Sequence, residues 1–407
     1  MTAAEDSEPL EPFTLLRAAR GFVVAPSAAL FLCLFASQAG ILVLSPILVE
    51  VAREFGVSTA SAGQLRTVTG LVAGSGAFVL GRFAGRVALR DLLIGGALLL
   101  AAGSLLSALA PTFWFLALAQ VPTGVAVATL LSAGVAGAGE WAAASERARV
   151  LSWALVGQAA AWIVGMPVIG AVAELNWRLA FAVPLVASLL TAFVLSLCTA
   201  GPPAAAATGT RLVLLLRERV IRAWVLGELL AFSAWAGILV FAGALFIESY
   251  RTSTTTTGIV LGAIAFAYIP GNFLARRFVE HSARTILISS ALAAAVGAAL
   301  FGTVRPALAI SALILGVLGF LAGGRTLAGS AFGLDVAPEL KLAVMGLRAA
   351  ALQFGYLVGS GVGGIALSLS GYGALGLALA LLFAAAAVPH LVLTRTERTR
   401  VAVGGGH

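Results

Sequence analysis

Charge is scarce in this chain of 407 residues: 10% are charged and 60% are hydrophobic, with a mean hydropathy of +1.05. A water-soluble domain carries about a quarter of its residues as charges, so that class is excluded and the solvent is lipid. Histidine is nearly absent. His281, His390 and His407, in a loop, at a helix end and at the terminus, show no metal-ligand spacing, and this topology pairs none of them with a hydroxyl as base and nucleophile, so neither a metal centre nor a catalytic constellation, and no enzyme or cofactor, is expected. The two cysteines, Cys33 and Cys198, sit inside apolar runs without partner spacing and read as packing residues. Alternating ten-residue segments are missing, which excludes a lipid-facing β-barrel. The glycine-rich strings lack a following Lys-Ser or Lys-Thr, which argues against nucleotide binding. The formal charge of +8 is spread over many short loops, so membrane topology accounts for it better than nucleic acid does.

What the chain does hold is long apolar runs. A bilayer core of about 30 Å demands helices of about 20 residues, because unpaired backbone groups are too costly there. Twelve such spans are expected at about 28–50, 62–81, 92–110, 113–138, 150–173, 179–199, 223–247, 258–275, 286–304, 307–331, 347–370 and 372–394. Residues 1–12 read as a polar tail, and the following dozen, with Arg17 and Arg20, as a segment lying along the membrane surface. With both termini cytoplasmic, inner segments hold 19 of the 25 Arg and Lys residues, which fixes that orientation. Arg53, Arg66, Arg178, Arg251 and Arg305 then fall in outer loops and helix ends, and Arg325 within a helix. Residues 200–221 form the midpoint linker, between an N-terminal bundle (1–199) and a C-terminal bundle (222–407). Arginine outnumbers lysine 24 to 1, a composition that suits a GC-rich bacterium and hence a bacterial inner membrane.

The chain repeats itself. Gly-Arg-Phe-Ala-Gly-Arg-Val-Ala-Leu-Arg at Gly81 to Arg90 follows the second span, and a related string, Gly-Asn-Phe-Leu-Ala-Arg, recurs at Gly271 to Arg276. Ala39 to Val43 reappears as Ala236 to Val240, and at an offset of 195 Gly124, Glu140 and Gln158 fall on Gly319, Asp335 and Gln353. The expected fold is an all-α membrane protein, twelve transmembrane helices in two six-helix bundles related by a pseudo-two-fold axis.

Gly81, Arg86 and Arg90 resemble the loop signature of the major facilitator superfamily. The acidic residue usual before the arginine is Gly85 here, and Ala88 and Leu89 replace a glycine and a basic residue. The resemblance implies that the first, fourth, seventh and tenth helices line a central cavity, while the third, sixth, ninth and twelfth face lipid. It also implies an inner gate built from Arg86 and Arg276 with Glu140, Arg147, Asp335 and Lys341. The Glu140 and Arg147 spacing is similar to that of the family's sugar carriers. Gly165, Pro167 and Gly170 resemble a shortened glycine-proline motif of its antiporters. Gln120 stands where a fourth-helix arginine is often found, so coupling through that arginine is not open to this chain.

Polar residues within the spans group by helical spacing. Gln158 with Trp162, Glu228 with Trp235, Tyr268 with Asn272 and Gln353 with Tyr356 each share a face, and with Gln38 and Gln120 they are the cavity candidates. Amides beside aromatic surface suit an amphiphilic organic ligand, although interhelical hydrogen bonding explains any one of them as well. Glu228 and Arg325 are charges clearly inside spans and are expected to pair, either as a proton-coupling site or as a permanent structural link. Gly70 and Gly74, and Gly355, Gly359 and Gly363, form ridges that permit close approach of the second and eleventh helices. The expected function is export of a small amphiphilic molecule by proton antiport, resembling the drug:proton antiporter branch, in a monomer surrounded by lipid. Uptake of a sugar-like metabolite is the second reading, and a transport-inactive receptor or scaffold the third.

Overall fold

The computed structural model describes residues 16–17, 23–24, 26–83, 87–142, 145–198, 215–337 and 340–392. Helix α1 (Pro26–Leu42) continues almost directly into α2 (Leu44–Glu54). The interruption at Val43 lies three residues before Pro46, which has no N–H to bond the carbonyl a turn back. Next come α3 (Thr59–Phe83), α4 (Leu89–Ala108) and α5 (Phe113–Glu140). Helix α6 (Arg147–Ala160) passes through a π-helical turn, Ala161–Gly165, into α7 (Met166–Leu175). Pro167 follows that turn, and the widened ladder makes room for its ring. A 3-10 turn at Trp177–Phe181 leads into α8 (Ala182–Ser196). The rest of the chain forms α9 (Arg219–Tyr250), α10 (Thr254–Arg276), α11 (Val279–Thr303), α12 (Leu308–Val336) and α13 (Lys341–Val392). Near the N-terminus Leu16–Arg17 pairs antiparallel with Val23–Val24, where the sequence suggested a surface-lying segment.

Among the described residues ten helical segments are long and apolar enough to cross a membrane, with α1–α2 and α6–α7 each counted once; α3 is not among them. Helix α13 has 52 residues, about 78 Å at 1.5 Å each, far more than a bilayer spans. It is broken at Ser370 and Gly371, and Gly371 sits at φ 69°, where a side chain would be strained. Its two arms fold back on each other: Gly359 and Leu379 lie against the same residue of α9, Gly237. The break falls where the sequence set the boundary between its last two spans.

One end of the molecule is made of tight turns, at residues 55–58, 109–112, 251–253, 304–307 and 370–371. Thr112 and Ser253 cap α5 and α10, accepting hydrogen bonds from Phe115 N and Thr256 N at 3.2 Å each. Arg178 closes this end of the first half of the chain. It donates to Ala108 O (3.0 Å) and Ala110 O (2.8 Å), pairs with Glu54 at 3.3 Å and lies over the Trp177 ring. Arg90, Arg219, Arg276 and Arg284 mark the opposite, arginine-bearing ends of α4, α9, α10 and α11.

Helices before residue 199 meet those after 215 chiefly along α2–α9, α7–α10 and α3–α13. Ser45 Oγ donates to Leu239 O at 2.9 Å, Thr254 Oγ1 to Gly170 O at 2.9 Å and Thr255 N to Glu174 Oε2 at 3.2 Å. Thr59 bonds Glu248, and Gln64 Nε2 donates to Ser360 O at 3.1 Å. The main partners of α1, α5 and α6 are in the first half, and those of α12 in the second, so engagement across the halves is concentrated toward the tight-turn end. Large apolar side chains of α4, α8, α11 and the last arm of α13, among them Leu105, Phe193, Val296 and Leu381, are exposed, as lipid contact requires.

Glycines make these contacts close. Gly70 faces Tyr356 and Leu357, and Gly74 faces Phe354, so α3 does lie on α13. The Gly355–Gly359–Gly363 ridge, however, faces Phe232, Ser233 and Phe241 of α9 and not α3, which corrects the sequence expectation. A Cβ at Gly359 would meet the backbone carbonyl of Ser233, whereas one at Gly361 would meet nothing within 4 Å. Gly359→Val should therefore destabilise the detergent-solubilised protein by about 2 kcal/mol or more, read as a lowered melting temperature, with Gly361→Val unchanged.

Candidate functional site

The most concentrated polar chemistry inside the helices surrounds one carboxylate. Glu228 lies nine residues into α9, about 14 Å from its start, and is 3% exposed. Arg348 of α13 donates from Nε to Glu228 Oε2 at 2.7 Å. Arg325 of α12 donates from Nη2 to Glu228 Oε1 at 3.5 Å. Arg325 also donates to Leu287 O at 2.7 Å and Gly227 O at 3.0 Å, and Arg348 to Thr326 O at 3.2 Å. One carboxylate thus joins two guanidinium groups, and the guanidiniums fasten α9, α11 and α12 through backbone carbonyls.

Small residues admit this cluster. A Cβ at Gly329 would meet both Glu228 oxygens at 2.6 Å, and one at Gly227 would meet His390 Nε2 at 2.5 Å. Trp224 Nε1 donates to Gly329 O at 3.0 Å and packs the base of the site. His390 is fully buried, neither ring nitrogen has a hydrogen-bond partner, and its ring lies edge-on to Phe332 at 5.8 Å. The resemblance implies that the twelfth span faces lipid; its end nevertheless brings the His390 imidazole inside.

Glu228, Phe232, Trp235, Arg325, Thr326 and Arg348 line a narrow crevice with a cavity volume of about 30 Å³, room for a water or two and not for an organic molecule in this conformation. All its walls come from α9, α11, α12 and α13, so it lies within the second half of the chain; of the spans expected to line a cavity, the seventh and tenth, α9 and α12, contribute to it. Tyr268 of α10 stands beside Thr326 and in the field of Arg348 and Glu228, and joins the group. Asn272 is half-buried one turn further on, where α10 meets Gly323. Gln353 and Tyr356 are buried on α13 against Gly70, and Tyr356 stacks edge-to-face on Phe232 at 5.4 Å.

Other candidates fall elsewhere. Gln120 accepts from Thr69 Oγ1 (3.2 Å) and donates to Ser107 Oγ (3.2 Å) and Leu116 O (3.3 Å), so it ties α3, α4 and α5 together away from the crevice. Gln38, Gln158 and Trp162 are half-buried in α1, α6 and the π turn, apart from the Glu228 group. Among the gate residues Arg90 pairs with Asp91 at 2.8 Å and donates to Cys198 O at 2.8 Å, a link within the first half and not across the halves. Arg276 lies over Phe273, and Glu140 and Asp335 are exposed at the arginine-bearing end. Gly81 is in the last turn of α3, Arg147 opens α6 and Lys341 opens α13, their side chains outside the description. Arg86 lies outside the described residues altogether. Among the described residues no group of three or more His, Cys, Asp or Glu is placed to hold a metal.

Two arginines escaped the sequence reading. Arg348 falls at the very edge of the span expected at 347–370, but α13 begins six residues before that span, at Lys341, and carries it inside. Arg66 was placed at a helix end; it is seven residues into α3, 3% exposed, with its guanidinium 4.9 Å over the Tyr356 ring.

A sequence model of the Major Facilitator Superfamily matches residues 30–317. No curated protein matches the chain. Among solved structures it is similar to a D-xylose-proton symporter (TM-score 0.74, 16% identity, 91% of this chain and 98% of that one). It is also similar to a bacterial homolog of the human lysosomal transporter Spinster, inward-facing and unoccupied (0.72, 14%, 93% and 96%), and to a mutant of the nucleoside transporter NupG (0.71, 14%, 90% and 99%). At these identities the likeness is one of fold.

Removing one member of a buried charge cluster leaves the others uncompensated. Glu228→Ala should destabilise the purified protein by about 3 kcal/mol, and the Glu228→Ala/Arg348→Ala double variant should recover part of that loss in a thermal melt.

Proposed function

Because the chain belongs to the major facilitator superfamily, we propose that it is a proton-coupled secondary carrier of a small amphiphilic organic molecule, working by alternating access in a bacterial inner membrane with both termini cytoplasmic. Twelve crossings follow when α3 is added to the ten apolar segments and α13 is divided at Ser370 and Gly371. They form two six-helix bundles, 1–199 and 222–407, related by a pseudo-two-fold axis and joined by residues 200–221, and the monomer is the working unit. The tight-turn end is then outside, and contacts concentrated there describe a carrier closed to the outside and parted toward the cytoplasm.

The observation that carries this reading is the Glu228 cluster beside a crevice of aromatic surface. Glu228 serves as the proton site: when it is ionised it holds Arg348 and Arg325, and when it is protonated it releases them, so helix contacts differ between the two states. Gln353, Tyr356, Trp235, Tyr268 and Asn272 contribute second-half cavity surface, and Gln38, Gln158 and Trp162 the first-half surface that meets it. We assign the inner gate to Arg86, Glu140, Arg147, Arg276, Asp335 and Lys341, because ion pairs between exposed charges of this kind are weak enough to break in each cycle. Export in exchange for protons is the first reading, supported by the Gly165, Pro167 and Gly170 segment at the π turn. Uptake together with protons is the second, favoured by the two arginines that share a single carboxylate.

Flux of candidate substrates in inside-out and right-side-out vesicles separates the two directions. Glu228→Gln is expected to lose the dependence of flux on a pH gradient; a variant that keeps the full wild-type dependence would remove Glu228 from coupling. Cysteines at Glu174 and Thr255, whose parent residues hydrogen-bond between α7 and α10, are expected to stop flux when oxidised and to restore it with a reductant.

A further inference from the structure

The interior holds more positive charge than negative. Arg66 and Arg325 are 3% and 7% exposed, and the Arg348 side chain 11%. Glu228 is the one carboxylate that meets any of these three guanidiniums among the described residues. Glu50, on α2, has a buried oxygen without a partner, but the charge it feels is that of Arg53 and it forms no ion pair with Arg66 among the described residues. His390 adds no negative charge. Three guanidiniums against one carboxylate leave two positive charges without a counter-ion in a medium that penalises each.

Arg66 is where the deficit is sharpest. Its Nη1 is buried with no hydrogen-bond partner, while a guanidinium carries five donors in a planar fork. The residue shares a face of α3 with Gly63 and Gly70, which turn toward Phe241 of α9 and Tyr356 of α13. The guanidinium therefore points to the junction of α3, α9 and α13. Its neighbour Tyr356 contacts Phe232, which also lines the Glu228 crevice. Tyr356 is eight residues from Arg348 along α13, about 12 Å, so a continuous aromatic surface connects two cationic points.

We propose that Arg66 binds the carboxylate of an aromatic organic acid, whose apolar body lies against Tyr356 and Phe232. This rests on the carrier reading and names its substrate class. A carboxylate matches the planar donor fork bidentately, and the ring face of Tyr356 supplies no acceptor to the guanidinium edge, where Nη1 is without a partner. The same pairing supplies the missing counter-charge. A neutral analogue satisfies neither requirement, since a site built around a buried charge rejects a ligand that leaves it unpaired.

The test uses the full chain purified in detergent, with benzoate, phenylacetate and indole-3-acetate as probes and the three corresponding amides as controls. At least one acid is expected to raise the melting temperature in a concentration-dependent way while its amide does not. Arg66→Lys should weaken the acid's effect at least tenfold in half-saturating concentration, and Arg66→Gln should abolish it. No shift from any acid, equal shifts from an acid and its amide, or an undiminished shift in Arg66→Gln overturns the proposal. The acid-against-amide comparison is made on the wild type and stands even where Arg66→Gln fails to fold. Flux of the same six compounds in proteoliposomes separates the two readings. Carriage of an amide but not its acid sinks the anion site and leaves the carrier, whereas Arg66-dependent binding of an acid with no flux of any compound keeps the site and sinks the carrier.

Discussion

A charge cannot be left alone where there is no water to surround it, and the second half of this chain is arranged around that constraint. Glu228 faces two arginines from two other helices, and Arg325 spends its remaining donors on the carbonyls of Leu287 and Gly227. The cluster is thus a crosslink between α9, α11, α12 and α13 as well as a charged site. Its geometry needs helix axes closer than ordinary side chains allow, which is why Gly227 and Gly329 stand where His390 and the Glu228 carboxylate approach them. Larger residues there would open the ion group to lipid, and the desolvation cost would no longer be offset by its hydrogen bonds.

The same economy of small residues sets how the two parts of the chain touch. Gly170 against Gly258, Gly243 against Ser45 and Gly70 against Tyr356 bring backbones into contact along three seams. Hydroxyls of Ser45, Thr254 and Thr59 then bond across them. Single hydroxyl and amide bonds of this kind are modest in lipid, about 1 kcal/mol each, so the seams hold by packing and remain separable. The charged links Arg178–Glu54 and Arg90–Asp91 instead stay inside one half, where they stiffen a unit without binding it to the other.

Much of this was legible from hydropathy alone, because a span must be apolar and a reversal needs a residue such as Gly371 at positive φ. The Glu228 and Arg325 contact was legible for the same reason, as two charges stranded in apolar runs have few alternatives to each other. Arg348 and Arg66 were not. Each lies within two turns of a helix start, and a boundary misplaced by three to six residues moved each from the interior to an end. His390 shows the other limit: a histidine at the end of an apolar run looks like a terminus until its neighbours on α9 and α12 are known. Gln120, an amide within a span and so a cavity candidate, has its amide occupied by Thr69 and Ser107. Periodicity gives a face, and only packing says what the face meets.

The arrangement of charges also bears on the sign of coupling. Glu228 engages Arg348 and Arg325; under the proposed coupling, a proton on Glu228 releases their donors and the interior gains a positive charge. An anion arriving near that surface binds more tightly to the protonated state, and by reciprocity the anion strengthens proton binding. Ligands that reinforce each other travel together, so if Arg66 holds an organic acid and Glu228 the proton, uptake together with protons, the second reading above, is favoured over export by exchange. Antiport would require the two to exclude each other, as a cation and a proton do when they compete for one carboxylate. An exporter of the same acid by proton exchange would then need a proton site other than Glu228, one whose protonation weakens the hold on the anion.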